Sequence, residues 1–374
     1  MKLLISQKRY HPNSIPIVQI LKENRVTLRM FAYQSSLDED YSDLTPTYIG
    51  YNKFIYQFLS FFLSKDTVIK FAFPKIFTLF KELKTYKPDI IILKKYRVPN
   101  MVLFILARIF TKSKIAILTD FPIDKKLSRK IFLLRKLALY PSYIIHTTKE
   151  GSSEFHRIID NNFKRLFQPY PVSVPARNDE KVQEEKVKIL FVGKFMSERK
   201  RPDWILLAVD RLKLREKVYI HLVGLGSEDD KQVIKLKQLV QKLNLGSCVK
   251  FQFNVPHNLM SDVYKKSDVL ILPAKNEPFG MVVVEALANG MPLLVSDTCG
   301  SKNAVRDGLN GYIFKTDDFD DFVNKLDMIT SDRERIINMS RHSDLHAIEY
   351  YTKDKWFKTI NEFLGLKELD QNDS

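Results

Sequence analysis

The chain has 374 residues, 45% of them hydrophobic and 28% charged, and this is ordinary for a globular protein with room for two domains. The longest apolar runs, such as Met101–Ala107, are far shorter than the ~18 residues of a spanning helix, and the first residues lack the apolar core of a signal peptide. These features argue against an integral membrane or secreted protein, so we expect a cytoplasmic protein, either soluble or peripheral on the inner face of the cell membrane.

The net charge of +16 is distributed unevenly. Residues 1–180 hold 30 basic against 15 acidic side chains, whereas the remainder holds 30 against 29. The asymmetry is sharpest over Lys84–Lys136, with 14 basic and 3 acidic side chains. Such a region attracts nucleic acid, anionic lipid headgroups or a phosphorylated acceptor. The alternative is an ordinary solvated surface.

The amino-terminal half alternates short apolar runs with amphipathic stretches, a pattern typical of parallel α/β sheets. The predicted strands are Lys2–Ser6, Thr27–Ala32, Asp89–Leu93, Lys114–Thr119 and Tyr143–Thr147, and the helices between them include Pro99–Phe110 and Lys126–Leu139. The polar, proline-containing stretch 173–187 is predicted to be a linker. It ends the first domain at residue 172.

A second series of strands follows the linker and places a second domain at 188–350. These strands are Lys188–Val192, Val218–Val223, Val249–Phe253, Asp268–Leu272, Pro292–Ser296 and Gly311–Phe314, and helices at Phe319–Ile329 and Asp332–Ala347 close the domain. The two cysteines, Cys248 and Cys299, lack metal-ligand spacing, and we expect both to be reduced.

The most informative stretch runs from Glu277 to Gly300; it follows the predicted strand Asp268–Leu272 and includes the next one, Pro292–Ser296. Pro278 and Gly280 follow the first glutamate, and an apolar helical run separates it from Glu285. Ligands of open α/β sheets bind at the carboxyl ends of strands, where a helix opening at Phe279 to Met281 would present its amides to a phosphate. Backbone amides that donate to a phosphate, flanked by two carboxylates that accept hydrogen bonds from hydroxyls, describe a pocket for a nucleotide-linked sugar. The alternative is a plain βαβ unit with solvated charges.

The stretch resembles the Glu-x7-Glu motif of retaining glycosyltransferases of family 4, also called glycosyl transferases group 1. The matching residues are Glu277, Phe279, Gly280, Glu285, Ala286, Ala288, Gly290 and Pro292. The resemblance implies the GT-B architecture: two Rossmann-like α/β domains whose parallel sheets face each other across a cleft. It also implies that the carboxy-terminal helix, within 351–374, crosses back to the first domain.

Two glycine turns extend the resemblance along the second domain. Gly193 begins a segment in which Lys194 and Lys200 resemble the family's two basic residues on the donor diphosphate, and Gly224 lies in its second glycine turn. Two cations near a helix amino terminus suit a pyrophosphate. Donor binding is therefore assigned to these residues together with those from Glu277 to Met281 and Glu285.

The first domain offers fewer candidates. His11 and Asn13 follow the first strand and are candidate acceptor contacts, although a structural loop histidine fits equally well. Asp120 follows the strand Lys114–Thr119, where relatives often carry a histidine, and is a candidate to orient or deprotonate an acceptor hydroxyl. The basic amphipathic helix Lys125–Lys136 is either a core helix with a charged face or a membrane contact.

The sequence therefore predicts a retaining hexosyltransferase that moves a sugar from a nucleotide-diphosphate sugar to a glycan or lipid-linked acceptor, in bacterial polysaccharide or lipopolysaccharide biosynthesis. Lys194, Lys200 and the helix amides would stabilise the leaving diphosphate, with Glu277 on the sugar and Glu285 on the ribose. The resemblance implies no cofactor and no metal ion. The alternatives are an epimerase or phosphorylase on the same fold, or a basic nucleic-acid-binding protein, for which no recognisable module appears.

Overall fold

The computed structural model describes residues 1–10, 14–34, 43–54, 57, 73–94, 98–119, 143–149, 164–175 and 185–365. These residues fall into two compact units. The first unit contains the described residues up to Tyr170 together with those from Trp356 onward, and the second contains the described residues of Pro171–Lys355.

The first unit is built on a seven-stranded sheet in which every pairing is parallel. Its strands are β1 (Lys2–Gln7), β2 (Thr27–Ala32), β3 (Thr47–Tyr48), β4 (Ile90–Lys94), β5 (Lys114–Thr119), β6 (Tyr143–His146) and β7 (Lys164–Phe167). The helices among its described residues include α1 (Ile15–Glu23), α2 (Ile76–Tyr86) and α3 (Val98–Phe110), and the strand order is β3-β2-β1-β4-β5-β6-β7.

The second unit is built on a six-stranded parallel sheet of order β10-β9-β8-β11-β12-β13. Its strands are β8 (Val187–Lys194), β9 (Val218–Leu225), β10 (Val249–Phe253), β11 (Val269–Leu272), β12 (Leu293–Ser296) and β13 (Gly311–Phe314). Its helices are α4 (Asp203–Arg211), α5 (Lys231–Lys242), α6 (Met260–Lys265), α7 (Met281–Ala288), α8 (Phe319–Thr330) and α9 (Arg333–Tyr350); α10 (Lys353–Leu364) follows.

Central strands of both sheets are buried on both faces. Every residue of β4, β11 and β12 is buried. Parallel strands covered by helices on both sides consist of continuous apolar runs. For this reason the strands predicted from the sequence lie within one or two residues of the observed bounds.

Both sheets have the strand order of a doubly wound Rossmann fold. In this order the chain reverses direction across the sheet between β1 and β4 in the first unit, and between β8 and β11 in the second. Ligands of such sheets bind beyond the carboxyl ends of the strands at this switch point. The prediction of two Rossmann-like α/β domains is confirmed.

The carboxy-terminal helix α10 packs within the first unit from Trp356 onward. Trp356 is 1% exposed, and Phe363 packs edge-on against Tyr143 at 5.4 Å between ring centroids. The Lys114 ammonium donates to the Leu364 carbonyl at 2.8 Å. Among the described residues, no helix is long and apolar enough to cross a membrane.

Candidate active site

The candidate site lies at the switch point of the second sheet. Strand β8 ends at Lys194 and its neighbour β11 ends at Leu272, with Val269 paired to Ile189. The loops that follow these two strands carry most of the predicted donor residues. Topology therefore brings together residues that are nearly 80 positions apart in the sequence.

Backbone at the ends of β8 and β9 is too close for side chains. Gly193 pairs with Gly224, and a Cβ added at Gly224 would lie 2.0 Å from the Gly193 carbonyl oxygen. No side chain fits this approach, which explains the glycine at position 224 as a structural requirement of the turn.

A buried ion pair forms the centre of the site. The Lys200 ammonium, at the end of the 3-10 turn Glu198–Lys200, lies 2.7 Å from Oε2 of Glu277, and both side chains are about one-tenth exposed. The Arg199 guanidinium lies 3.5 Å from the same oxygen. Oε2 is buried and is the oxygen that faces both cations. The carboxylate is therefore charge-paired but keeps unused hydrogen-bonding capacity.

The loop backbone around Glu277 is fixed from the opposite side. The Gly300 amide donates to the Glu277 carbonyl at 2.9 Å, and the Asn276 amide donates to Oγ1 of Thr298 at 3.1 Å. These bonds position the carboxylate before any ligand arrives.

Helix α7 begins beside this carboxylate. Its N-cap is Gly280, whose φ of +88° is left-handed, and a Cβ there would lie 3.0 Å from Sγ of Cys299. The amides of Met281 and Val282 are in the first turn of the helix, where backbone N–H groups have no acceptor within the helix. The next amide, that of Val283, donates to the Gly280 carbonyl at 3.0 Å. The helix dipole adds positive potential at this end.

The second glutamate of the motif, Glu285, is held by two side chains that precede β11, one from α6 and one from the 3-10 turn before it. The Tyr264 hydroxyl donates to its Oε2 at 2.7 Å, and Nε2 of His257 lies 3.4 Å from its Oε1. Burial, followed by the charge of Glu285, raises the pKa of Tyr264 well above its usual value. The phenol therefore remains a proton donor to the carboxylate across the physiological range.

The structure thus joins Glu277 to Lys200 and places Glu285 in a separate polar cluster further along α7. Lys194 is exposed at the end of β8, and its carbonyl accepts from the Ser197 amide at 3.1 Å. Phe279 is buried, and its carbonyl accepts from the Ser301 amide at 2.7 Å.

Three residues at the site were absent from the sequence prediction: Arg199, Tyr264 and His257. Arg199 adjoins Lys200 in a run of basic residues, so its position was a usable signal. Tyr264 and His257 precede the motif by one strand and carry no spacing pattern that links them to Glu285.

Several predicted site residues lie outside the described residues: His11, Asn13, Asp120 and the helix Lys125–Lys136. Their roles stay predictions. Within the described ranges, no group of three or more His, Cys, Asp or Glu side chains is arranged to hold a metal ion. The absence of a metal requirement also stays a prediction.

Comparison with known proteins supports the motif assignment. Residues 175–344 match the family model of glycosyl transferases group 1. The D-inositol 3-phosphate glycosyltransferase of Geodermatophilus obscurus is 32% identical over 196 residues, which are 51% of this chain and 42% of that protein. The chain thus spans less than half the length of the curated relatives it matches.

Solved structures resemble the chain over nearly its whole length. Anabaena HepE in complex with UDP has a TM-score of 0.75 at 16% identity, covering 98% of this chain and 100% of that one. The lipopolysaccharide outer core galactosyltransferase WaaB has a TM-score of 0.71 at 17% identity, covering 98% and 99%. The predicted resemblance is confirmed: residues 175–344 carry the sequence pattern of glycosyl transferases group 1, and the fold is that of GT-B glycosyltransferases.

Proposed function

We propose that this protein is a retaining glycosyltransferase that uses a nucleotide-diphosphate sugar. The observation that carries the proposal is the Glu277–Lys200 pair at the amino terminus of α7, where a buried carboxylate oxygen and helix amides lie side by side. A sugar hydroxyl donates to a remaining lone pair of the Glu277 carboxylate, and the diphosphate accepts from the amides of Met281 and Val282.

Catalysis in this proposal depends on holding the leaving group. The bond between the anomeric carbon and the diphosphate oxygen breaks, and the acceptor oxygen bonds to the same face of that carbon. The acceptor's proton passes to the departing phosphate oxygen. Lys194, Lys200 and the first amides of α7 stabilise the growing negative charge, because fixed donors in a water-poor site need no reorganisation.

Lys200 has two roles in this arrangement. One of its three N–H groups faces Glu277, and the other two are available to phosphate oxygens. Glu277 therefore orients the cation that serves the leaving group while it also fixes the sugar. No covalent nucleophile and no metal ion are part of the proposal.

Glu285 is assigned to the ribose hydroxyls. Tyr264 and His257 hold the carboxylate on one side, and each of its oxygens retains a further lone pair for a hydroxyl donor. Glu277 lies in the loop before α7 and Glu285 lies just over one turn into the helix, so the two carboxylates can serve the sugar and the ribose separately.

The neighbours support the choice of donor and acceptor class. Anabaena HepE has been solved with UDP and with UDP-glucose, and WaaB and WaaG belong to lipopolysaccharide biosynthesis. We therefore propose a UDP-sugar as the first donor to test, and a glycan or a lipid-linked sugar as the acceptor, in the assembly of a surface polysaccharide or lipopolysaccharide.

The test is donor binding and turnover with UDP-glucose and GDP-mannose side by side. UDP binding is measured by calorimetry in Glu277→Gln, Lys200→Met and the matched pair Glu228→Gln and Lys237→Met. The matched residues form an exposed ion pair at 2.8 Å in the same unit. We expect the first two variants to lose tenfold or more in transfer and the matched pair to keep wild-type values.

Product analysis decides between reaction classes. NMR of the transferred sugar should show the donor's anomeric configuration, and transfer should persist in EDTA. Release of sugar 1-phosphate only when inorganic phosphate is present would instead identify a phosphorylase. Conversion of the donor to its epimer without an acceptor would identify an epimerase.

A further inference from the structure

Arg199 adds a third cation to the candidate donor site, beside the two lysines already assigned to the diphosphate. It lies in the 3-10 turn Glu198–Lys200, next to the lysine that pairs with Glu277. Its side chain is 44% exposed, whereas that of Lys200 is 10% exposed. The guanidinium is therefore the member of this cation pair that a ligand arriving from solvent reaches first.

The guanidinium of Arg199 is fixed to the loop that carries Glu277. Its Nη1 donates to the Asn276 carbonyl at 3.0 Å, and the Arg199 carbonyl accepts from the Lys275 amide at 2.7 Å. The residue is thus held by both its side chain and its backbone. A cation that is held in this way loses less conformational entropy when it binds a ligand.

These contacts leave donors of the guanidinium for a ligand. Nη2 lies 3.5 Å from Oε2 of Glu277, which is longer than the ~2.7–2.9 Å of a charge-assisted hydrogen bond. Among the described contacts, one N–H group donates to Asn276 and one faces Glu277, out of the five that an arginine carries. A planar guanidinium with further N–H groups matches the paired oxygens of a phosphate, which a lysine contacts only as a point charge.

The charge of the site matches a diphosphate only when Arg199 is counted. Two segments are considered, from Lys194 to the start of α4 and from the end of β11 to the start of α7, together with Asp317, which pairs with a cation of each. They hold five basic and three acidic side chains, a net of +2. The basic residues are Lys194, Arg199, Lys200, Arg201 and Lys275, and the acidic residues are Glu198, Glu277 and Asp317. The diphosphate of a nucleotide sugar carries two negative charges, so without Arg199 these segments would be one charge short.

We propose that Arg199 binds the sugar-linked phosphate of the donor and stabilises the leaving diphosphate together with Lys194 and Lys200. The inference rests on the proposed function, which places the diphosphate at the start of α7. Arg199 and Lys200 face the same oxygen of Glu277, so their donors converge beside that carboxylate.

The role of Arg199 follows from where the charge develops. When the bond to the anomeric carbon breaks, its electron pair stays on the phosphate oxygen, and the charge there rises until the proton of the acceptor arrives. A guanidinium remains protonated throughout, and its fixed N–H groups stabilise this charge without reorganisation. Arg199 is therefore a catalytic residue as well as a binding residue.

Calorimetry of the full chain with UDP and with UMP tests the assignment. Arg199→Gln should bind UDP about tenfold or more weakly than the wild type, because hydrogen bonds to a charged phosphate are lost. Its affinity for UMP, which lacks the second phosphate, should not change. Arg199→Lys keeps the charge without the planar fork, and its UDP affinity should lie between those of the wild type and Arg199→Gln.

Magnesium provides a second readout that does not depend on turnover. Mg²⁺ binds to the phosphates of nucleotides, so it can supply the positive charge that Arg199→Gln removes. UDP binding to this variant should strengthen about threefold or more when Mg²⁺ replaces EDTA, since part of the lost charge is restored. Wild-type binding of UDP should not respond to this exchange.

The control is Arg306→Gln in the same unit. The Arg306 side chain is 45% exposed and pairs with Glu349 at 3.2 Å, so the lost charge and its exposure match those at Arg199. Binding of UDP and of UMP should both be unchanged in this variant. Thermal melts check that each variant is folded.

The possible failures are distinguishable. If Arg199→Gln binds UDP as tightly as the wild type, Arg199 only orients Glu277, and this inference fails while the proposed donor stands. A parallel loss of UDP and UMP affinity, or wild-type UDP binding that disappears in EDTA, also overturns the inference. If the wild type prefers GDP, the same test is made with GDP and GMP. If it binds neither UDP nor GDP, the proposed function fails as well.

Discussion

Breaking the Lys200–Glu277 pair tests whether the site is a buried charge pair or an exposed contact. Lys200→Met removes the nearest counter-charge and leaves a carboxylate that is about one-tenth exposed. Removing one partner of a buried pair costs about 3–5 kcal/mol, because the other charge stays desolvated and uncompensated. Arg199 remains 3.5 Å away but is itself 44% exposed, so it offsets part of this cost. We expect a loss of about 2–4 kcal/mol in the free energy of unfolding.

The double variant distinguishes the interaction energy of the Lys200–Glu277 pair from the contribution of each residue by itself. Glu277→Gln alone leaves the Lys200 ammonium buried and should also destabilise the second unit. When Glu277→Gln is combined with Lys200→Met, no charge is stranded, and replacing both partners is often nearly neutral. The double variant should therefore be about 2 kcal/mol more stable than the sum of the two single changes predicts.

The assay must report on the second unit alone, because a chain with two units need not unfold in one step. The chain has two tryptophans, Trp204 in α4 and Trp356 in α10. In a Trp356→Phe background, urea titration followed by tryptophan fluorescence monitors Trp204 and hence the second unit. All variants are compared in this background.

The exposed pair Lys237–Glu228 provides a reference double-mutant cycle for a pair that is not buried. Its side chains are 36% and 69% exposed, so Lys237→Met with Glu228→Gln should show a coupling of at most ~1 kcal/mol. If the Lys200–Glu277 cycle were additive within ~0.5 kcal/mol, like independent sites, the reasoning from burial would be refuted.

Three further outcomes are expected. Tyr264→Phe removes one hydrogen bond to Glu285, and calorimetry should show UDP binding weakened about three- to tenfold with a smaller change in kcat. Gly280→Ala forces a Cβ into a left-handed N-cap and against Cys299, and urea titration should show a loss of about 1–3 kcal/mol. Burial raises the pKa of Cys299 to about 11, so in a Cys248→Ala background its alkylation at pH 8 should be at least 100-fold slower in folded than in urea-unfolded protein. Because the folded pKa is the higher one, the stability that this thiol contributes is complete below pH 9 and should fall between pH 9 and 11. Buried tyrosines such as Tyr264 add to the fall at the upper end of this range, so in Cys299→Ser the fall should be smaller than in the wild type by the thiol's share.

Strands in the interior of each sheet could be predicted from the sequence because a strand that is buried on both faces consists of consecutive apolar residues. The strands that the sequence did not predict, Thr47–Tyr48 and Lys164–Phe167, lie at the two edges of the first sheet. Their two and four residues are at most half-buried and begin with polar side chains. They are strands because they pair by hydrogen bonds with an adjacent strand. That pairing depends on residues distant in the sequence, so it cannot be read from the local pattern.

The sequence named Lys200 and Glu277 as candidate site residues but did not predict the contact between them. The sequence assigned Lys200 to the diphosphate and Glu277 to the sugar as separate groups. Their contact at 2.7 Å depends on β8 lying beside β11, which brings together loops 77 residues apart. The same holds for Tyr264 and Glu285, whose hydrogen bond joins α6 and α7, the helices that precede and follow β11 in the sequence.

The two sheets share one strand order, yet their switch points hold different chemistry. In the first unit the ends of β1 and β4 place Lys94, 6% exposed, where its ammonium donates to Oγ of Ser14 at 2.8 Å and lies 4.9 Å from the Tyr170 ring. Ser14 in turn donates to Gln7 at 3.0 Å.

In the second unit the equivalent position holds the Glu277 carboxylate, two cations and a helix terminus. Strand order alone therefore explains where a ligand would lie in either unit, but not which one. Among the described contacts, the first unit has a lysine hydrogen-bonded to a serine over an aromatic face, whereas in the second unit the Glu277–Lys200 pair presents an acceptor for hydroxyls beside donors for phosphate. This difference in side-chain chemistry, on the same scaffold, is why we propose the second unit as the binding site of the nucleotide sugar.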